Sequence, residues 1–146
     1  MKQRIFNYNL FSQNDLENFC VTNSNFKAYN FALNPNNLIN FSIIYGPPKS
    51  GKTHLGLIWK KINKSIQLNK NNCQKILNEK INIFIDDVFV NLDEELLFHI
   101  VNHCFNYKLK ILICTDILFK NYKFKLKDLS SRLKSFNLFE IKQPDD

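Results

Sequence analysis

Four apolar runs along the chain have the length and composition of buried β-strands. They cover residues 39–45, 81–87, 110–116 and 137–141, and a shorter run at 65–68 predicts a fifth strand. Runs of this kind, rich in isoleucine and bounded by polar turns, are typical of strands that are covered on both faces. Because helical segments separate them, the five strands predict an α/β fold with a parallel sheet.

Apolar residues at helical spacing lie between these strands. The predicted helices cover 24–33, 53–62, 94–107 and 126–134, with a shorter one at 74–77. In the longest helix the apolar stripe that should face the core consists of Leu97, Ile100, Val101, Cys104 and Phe105. Leu92 or Asp93 is expected to stand at the start of that helix.

The turn between the strand 39–45 and the helix 53–62 carries a phosphate-loop pattern. Its residues fit G-x-x-x-x-G-K-[ST] and are Gly46, Pro47, Pro48, Lys49, Ser50, Gly51, Lys52 and Thr53. The two glycines let the backbone point successive N–H groups at a phosphate, and the following helix adds the positive end of its dipole. In such a loop the lysine reaches the β- and γ-phosphates and the hydroxyl ligates Mg²⁺. We therefore expect the chain to bind ATP or ADP with Mg²⁺.

Polar residues end the two long strands that follow the phosphate loop. Asp86 and Asp87 close one run, and Thr115 and Asp116 close the next. The carboxyl ends of parallel strands meet at one edge of a sheet, where ligands bind. We expect Asp86 to hold Mg²⁺, directly or through water, and Asp87 to orient or deprotonate an attacking water. Thr115 or Asp116 could contact the γ-phosphate or that water; the alternative is that these acids only cap turns.

Composition narrows the class of protein. The chain has 146 residues, of which 45% are hydrophobic, which is enough for one domain with a core. A net charge of +7 favours acidic partners, but lysine and asparagine are over-used throughout, so the charge alone assigns no partner. No apolar run approaches the roughly 18 residues that span a bilayer, and the N-terminus lacks the apolar core of a signal peptide. Since the four cysteines form no C-x-x-C pair, we expect a cytoplasmic protein.

Beyond the phosphate loop, four segments resemble the DnaA branch of the AAA+ ATPases. They are residues 17–25 with Ala28 and Tyr29, residues 51–55, residues 94–99 with Asn102, and residues 128–133. The likeness runs over nearly the whole chain. It implies a phosphate-loop NTPase fold, the AAA+ base domain, with a five-stranded parallel sheet flanked by helices over residues 17–146.

The resemblance also implies roles for individual residues. Residues 18–25 would lie near the adenine and ribose, and His54 would join the phosphate loop in the nucleotide site. Asp116 would be the sensor 1 group and Arg132 the arginine finger, so the catalytic set is Asp87, Asp116 and Arg132. A guanidinium brought to the γ-phosphate of a neighbouring subunit stabilises the charge on the transferring group. The alternative for Arg132 is an ion pair or phosphate contact within its own subunit.

Within this branch the chain is most similar to Hda-type regulators of the replication initiator DnaA, which lack the initiator's helix-turn-helix. Such regulators dock on the DNA polymerase sliding clamp through an N-terminal peptide of Gln-Leu-x-Leu type. We expect residues 1–16 to form that peptide with Gln3, Ile5 and Phe6 as anchors, although Arg4 departs from the pattern. The chain would present its arginine to DnaA, which hydrolyses its ATP, while its own turnover is weak or negligible. The family's helical lid would begin where this sequence ends, so either the protein lacks the lid or the sequence is incomplete.

Two other functions fit the same residues. A single-strand DNA-binding ATPase of helicase-loader type would use the positive charge and the run 120–127, in which lysines alternate with Tyr122 and Phe124. A degenerate adaptor would hold nucleotide only for structure. Direct DNA binding and assembly into a homo-oligomer are left open. A spacing that could hold a metal on one helix face involves Glu95, His99 and His103.

Overall fold

The computed structural model of the protein describes residues 25–87 and 93–142. Its helices are α1 (Phe26–Leu33), α2 (Lys52–Ile62), α3 (Cys73–Leu77), α4 (Glu94–Tyr107) and α5 (Lys127–Lys134), with a 3₁₀ helix at Phe119–Asn121. Its strands are β1 (Phe41–Tyr45), β2 (Ile66–Gln67), β3 (Ile83–Asp86), β4 (Ile111–Thr115) and β5 (Asn137–Glu140). The clamp peptide predicted at 1–16, the segment 17–24 and the lid position at 143–146 lie outside the described residues.

The five strands form one parallel sheet in the order β2-β3-β4-β1-β5. This confirms the predicted α/β fold with a five-stranded parallel sheet flanked by helices. In the strand register, Cys114 of β4 lies opposite both Ile44 of β1 and Asp86 of β3. The carboxyl ends of these three central strands are therefore level, and the polar residues that follow them meet at one edge of the sheet.

Helices cover both faces of the sheet, because alternate residues of each strand point to opposite faces. The strand residues that pack with α3, α4 and α5 on one face are Ile83, Ile85, Ile111 and Ile113. The strand residues that pack with α1 and α2 on the other face are Ile44, Phe84, Leu112 and Cys114. Burial on both faces explains why the strands read as continuous apolar runs. Within the described ranges, no helix is long and apolar enough to cross a membrane.

Local hydrogen bonds set some element boundaries, and the pattern of apolar residues does not predict these bonds. The first strand begins at Phe41 rather than at residue 39, since the N–H of Ile39 donates to the side-chain oxygen of Asn37 at 2.8 Å. Helix α4 has the predicted limits, and Asp93 caps it by accepting the N–H of Leu96 at 2.8 Å. The 3₁₀ helix at Phe119–Asn121 overlaps the start of the lysine-rich run 120–127, where the sequence pattern predicts no helix.

The predicted apolar stripe of α4 is wrong at one position. Leu97, Ile100, Val101 and Cys104 are fully buried, but the Phe105 ring is 45% exposed. Phe41 covers part of the ring, with 5.0 Å between ring centroids, and much of the side chain stays exposed. A second neighbour of this ring, described below, is a cation.

Helix α2 approaches the sheet most closely at Gly56. A Cβ atom at this position would lie 2.5 Å from Cζ of Phe84 and 3.0 Å from Sγ of Cys114. Both of these side chains are fully buried, so neither has free space to move into. The glycine is therefore required by packing rather than by backbone conformation, and it costs the helix about 1 kcal/mol of intrinsic stability relative to alanine.

Replacing Gly56 with valine is expected to lower the free energy of unfolding by about 1–3 kcal/mol through overpacking against Phe84. Urea denaturation of the purified chain measures this change. The matched control is Leu57→Val at the next position of the same helix, where the side chain is 45% exposed and the expected change is within about 0.5 kcal/mol. Equal destabilisation by both substitutions would contradict the packing argument.

The described cysteines are free thiols inside the core, namely Cys73, Cys104 and Cys114. Burial raises the pKa of the Cys104 thiol to about 12, from an ordinary value of 9.0. Burial raises the pKa of Cys114 well above 9.0, and the neighbouring carboxylate of Asp86 raises it further. These thiols therefore stay protonated and behave as small apolar side chains in the folded protein.

The raised pKa of Cys104 predicts a loss of stability at alkaline pH. Between about pH 9 and 12 the unfolded chain releases a thiol proton that the folded chain retains, so the free energy of unfolding falls as pH rises, by about 1.4 kcal/mol per pH unit. Urea denaturation at pH 8, 9.5 and 10.5 should show a shallower decline for Cys104→Ala than for the wild type. Parallel declines in the two proteins would show that this thiol does not titrate on unfolding.

Candidate nucleotide-binding site

The predicted phosphate loop connects β1 to α2 at the carboxyl edge of the sheet. The N–H of Gly46 donates to the carbonyl of Thr115 at 3.2 Å, which continues the β1–β4 pairing into the loop. The loop then turns through left-handed conformations at Lys49, with φ 63°, and at Gly51, with φ 97°. A backbone that alternates hand in this way directs its N–H groups into one concavity, the arrangement that binds anions.

Gly46 is held in a place that no side chain could occupy. A Cβ atom there would lie 2.8 Å from Oγ of Ser50 and 3.0 Å from both the Cβ and the carbonyl oxygen of Ile141. The start of the loop is thus packed against the segment that follows β5.

The polar groups of the loop fit a phosphate. Nζ of Lys52 reaches back over the loop and donates to the carbonyl of Pro47 at 2.9 Å. The hydroxyl oxygen of Ser50 is buried and has no hydrogen-bond partner among the described residues. Helix α2 begins at Lys52, and Gly51 before it provides no side-chain cap; its first turn has no acidic residue. An ammonium group, an unpaired hydroxyl and free helical N–H groups together form a positive cradle for an oxyanion.

A hydroxyl and a carboxylate from distant parts of the chain meet beside this cradle. Oγ1 of Thr53, in the first turn of α2, donates to Oδ2 of Asp86, the last residue of β3, at 2.9 Å. Two oxygen ligands of this kind, with water and phosphate oxygens completing the shell, are what Mg²⁺ takes in nucleotide sites. The described residues contain no cluster of three His, Cys, Asp or Glu side chains that could hold a metal by itself.

The strand-end residues next to this pair occupy different environments. The N–H of Asp87 donates to the carbonyl of Cys114 at 2.9 Å, and the residue has φ 56°, a conformation that aspartate tolerates. Its side chain is exposed, as is that of Asp116. Thr115 is buried, and its hydroxyl accepts the N–H of Ile117 at 3.0 Å. The hydroxyl of Thr115 thus accepts a hydrogen bond within the turn after β4, whereas the side chain of Asp116 is exposed.

Arg132 lies elsewhere in the molecule. Its helix α5 belongs to the layer on the sheet face opposite to α2. The guanidinium carbon lies 4.0 Å from the ring centroid of Phe105 on α4. Nη1 is buried without a hydrogen-bond partner, and Arg132 forms no salt bridge with any described residue. The local ion pair considered as an alternative is therefore not found in the described part of the chain. The stacking on Phe105 was not predicted, because nothing in the sequence pairs these two positions.

The structure also bears on two alternatives drawn from the sequence. In the basic run, the rings of Tyr122 and Phe124 pack edge to face with centroids 4.6 Å apart, and both rings are partly buried. Rings used in this way are not open platforms for stacking bases. His103, which a metal site on α4 would need, is buried and bonds the carbonyl of Glu79 at 2.7 Å.

Solved structures of known proteins share this fold. AMPPCP-bound DnaA from Aquifex aeolicus superposes with a TM-score of 0.68 at 24% identity, over 86% of this chain and 49% of that one. Domain III of DnaA from Thermotoga maritima superposes with a TM-score of 0.68 at 23% identity, over 97% and 70% respectively. A replication initiator DnaA bound to AMPPCP and single-stranded DNA gives 0.69 at 22% identity, over 88% and 50%.

These comparisons show the fold of the protein and how much of each neighbour's length it covers. The chain spans about half the length of the two AMPPCP-bound DnaA chains. Neither a protein-family model nor a curated protein sequence matches it. At 22–24% identity these superpositions show a shared fold. The chain therefore has the DnaA-like AAA+ fold of phosphate-loop NTPases.

Proposed function

We propose that the chain is an adenine-nucleotide-binding AAA+ protein that regulates the initiation of DNA replication. In this proposal it presents Arg132 to the ATP site of the initiator DnaA, as Hda-type regulators do. The observation that carries it is the separation of two features: a formed phosphate cradle on one face of the sheet and, on the other, an arginine that has no salt bridge within residues 25–87 and 93–142. The DnaA-like fold, and the AMPPCP carried by two of those DnaA structures, support the choice of an adenine nucleotide.

Each residue of the cradle has a role that its geometry supports. Lys52 and the loop N–H groups would bind the β- and γ-phosphates, with Ser50 as a further donor. Thr53 and Asp86 would share Mg²⁺ after exchanging their mutual hydrogen bond for metal ligation. Bound ATP with Mg²⁺ would supply a polarised γ-phosphate. The exposed carboxylate of Asp87 would then orient the water, and Asp116 would sense the γ-phosphate from the next strand.

The remaining parts of the proposal are carried by the sequence alone. Docking on the sliding clamp through Gln3, Ile5 and Phe6 falls outside the described residues and stays a prediction. His54 lies in the first turn of α2 beside the cradle, and its part in nucleotide binding is likewise a prediction. A cytoplasmic location follows from the proposed partners.

Replacing Lys52 with alanine is expected to weaken the binding of ATP with Mg²⁺ by about 10–100-fold, since the ammonium makes charge-assisted hydrogen bonds to phosphate. Isothermal titration calorimetry on the folded protein measures this affinity. The matched control is Lys49→Ala, which removes the same charge from an exposed position of the same loop and should change the affinity little. Equal affinity in all three proteins, or no binding by the wild type, would refute the nucleotide site.

Replacing Arg132 with alanine is expected to leave nucleotide binding intact but to reduce the stimulation of ATP hydrolysis by DnaA at least about a hundredfold. Phosphate release from ATP-loaded DnaA, with this chain added in excess, measures the effect. Lys134→Ala, an exposed charge near the end of the same helix, is the matched control and should stimulate normally.

The same assay separates the regulator from a degenerate adaptor. Full stimulation by Arg132→Ala would refute the finger assignment. If Lys52→Ala lowers the melting temperature of this chain without changing hydrolysis by DnaA, the nucleotide in this chain has a structural role only.

A further inference from the structure

Helices α4 and α5 enclose an open polar depression of about 560 Å³ on the face of the molecule away from the phosphate loop. Arg132 lines it from α5, and Asn102 lines it from α4. On these two lining residues, Nη1 of Arg132 and Oδ1 of Asn102 are buried and have no hydrogen-bond partner among the described residues. Unpaired buried polar atoms carry a free-energy cost, so the described part of the chain leaves the polar groups of Arg132 and Asn102 incompletely satisfied.

The charge of Arg132 is not neutralised by its neighbours. Asp128 lies one helical turn earlier on α5 and lines the same depression, yet it forms no salt bridge with the guanidinium. A carboxylate and an arginine at this i, i+4 spacing commonly pair. The cation instead lies over an aromatic face, with its central carbon 4.0 Å from the ring centroid of Phe105. Such a contact orients a guanidinium while leaving its N–H groups available in the plane.

The ring of Phe105 is held in place from behind. Its centroid lies 5.0 Å from that of Phe41 in β1, and the Phe41 ring lies 5.4 Å from that of Phe136 just after α5. Phe136 is buried and its N–H donates to the carbonyl of Leu133. Rings from β1, α4 and the end of α5 thus form a short stack on which Arg132 lies.

We infer that Phe105 is the positioning residue for Arg132: the ring holds the guanidinium oriented, and without a salt bridge to the part of the chain that the structure describes, for an oxyanion of a partner molecule. The inference rests on the proposed function of Arg132 as a finger. A solvated arginine loses rotamer freedom when it engages a phosphate, whereas an arginine stacked on a fixed ring has lost most of that freedom beforehand. The ring therefore makes it easier for Arg132 to bind the oxyanion in the transition state, although the ring itself does not touch the nucleotide.

Replacing Phe105 with leucine tests this role, because leucine keeps an apolar side chain but removes the aromatic face. Stimulated ATP hydrolysis by DnaA at saturating amounts of this chain should fall about tenfold, while the concentration that gives half-maximal stimulation stays within about twofold. The matched control is Phe105→Tyr, which keeps the ring and should stimulate like the wild type. A loss shared equally by the leucine and tyrosine variants would indicate general damage to the helix and overturn the inference.

A second measurement does not depend on the partner. The δ-methylene protons of Arg132 should show an upfield ring-current shift in NMR spectra of the wild type and of Phe105→Tyr, and lose it in Phe105→Leu. Unshifted protons in the wild type would overturn the inference even if the leucine variant failed to fold. Normal stimulation by Phe105→Leu, in an assay where Arg132→Ala is inactive, would also overturn it and leave the proposed function standing. Normal stimulation by Arg132→Ala would remove the proposed function, and with it the role of the stack.

Discussion

The close approach of α2 to the sheet at Gly56 determines where the candidate site forms. The absent side chain lets the helix lie directly on the ring of Phe84 and on Cys114, two strand residues near the carboxyl edge. Lys52 and Thr53 come one turn earlier on the same helix, so this contact fixes their height above the strand ends. Oγ1 of Thr53 consequently meets Oδ2 of Asp86 at 2.9 Å. A side chain at position 56 would raise α2 by about the size of a methyl group. The hydroxyl of Thr53 would then lie farther from the carboxylate of Asp86, and that carboxylate would no longer line the site beside the loop.

Strand order supplies the rest of the site from positions far apart in the chain. After β1 the chain places β2 and β3 two or more positions away, and β4 then inserts between β3 and β1. Three strand ends therefore become neighbours although Gly46, Asp86 and Thr115 are widely separated in sequence. The N–H of Gly46 bonds the carbonyl of Thr115, and the N–H of Asp87 bonds the carbonyl of Cys114. These two bonds tie the phosphate loop and the acidic strand end to the same central strand.

The sequence predicts features whose determinants are local. The spacing of Gly46, Gly51 and Lys52 identifies the loop, since the residues of its pattern lie within eight consecutive positions, 46–53. Helix α4 is predicted at both ends because its cap, Asp93, stands directly before its apolar stripe. Strand limits are less well predicted where side chains take over backbone hydrogen bonds, as Asn37 does for Ile39. Helical periodicity also placed Phe105 wrongly in the core, because a pattern along α4 cannot show that Arg132 of α5 lies over that ring.

Contacts between distant segments decide what the site residues can do. A glycine inside a helix is destabilising, and only the contact between α2 and the ring of Phe84 explains why residue 56 is a glycine. In the sequence, Arg132 has the features of an ordinary surface cation. In the structure its Nη1 is buried without a partner among the described residues, and its guanidinium lies over the ring of Phe105. The sheet separates this arginine from Lys52, so one molecule does not bring both charges to one phosphate through the contacts described. Under the proposed function, a nucleotide therefore meets a lysine from its own chain and an arginine from another, and hydrolysis depends on two proteins being in contact.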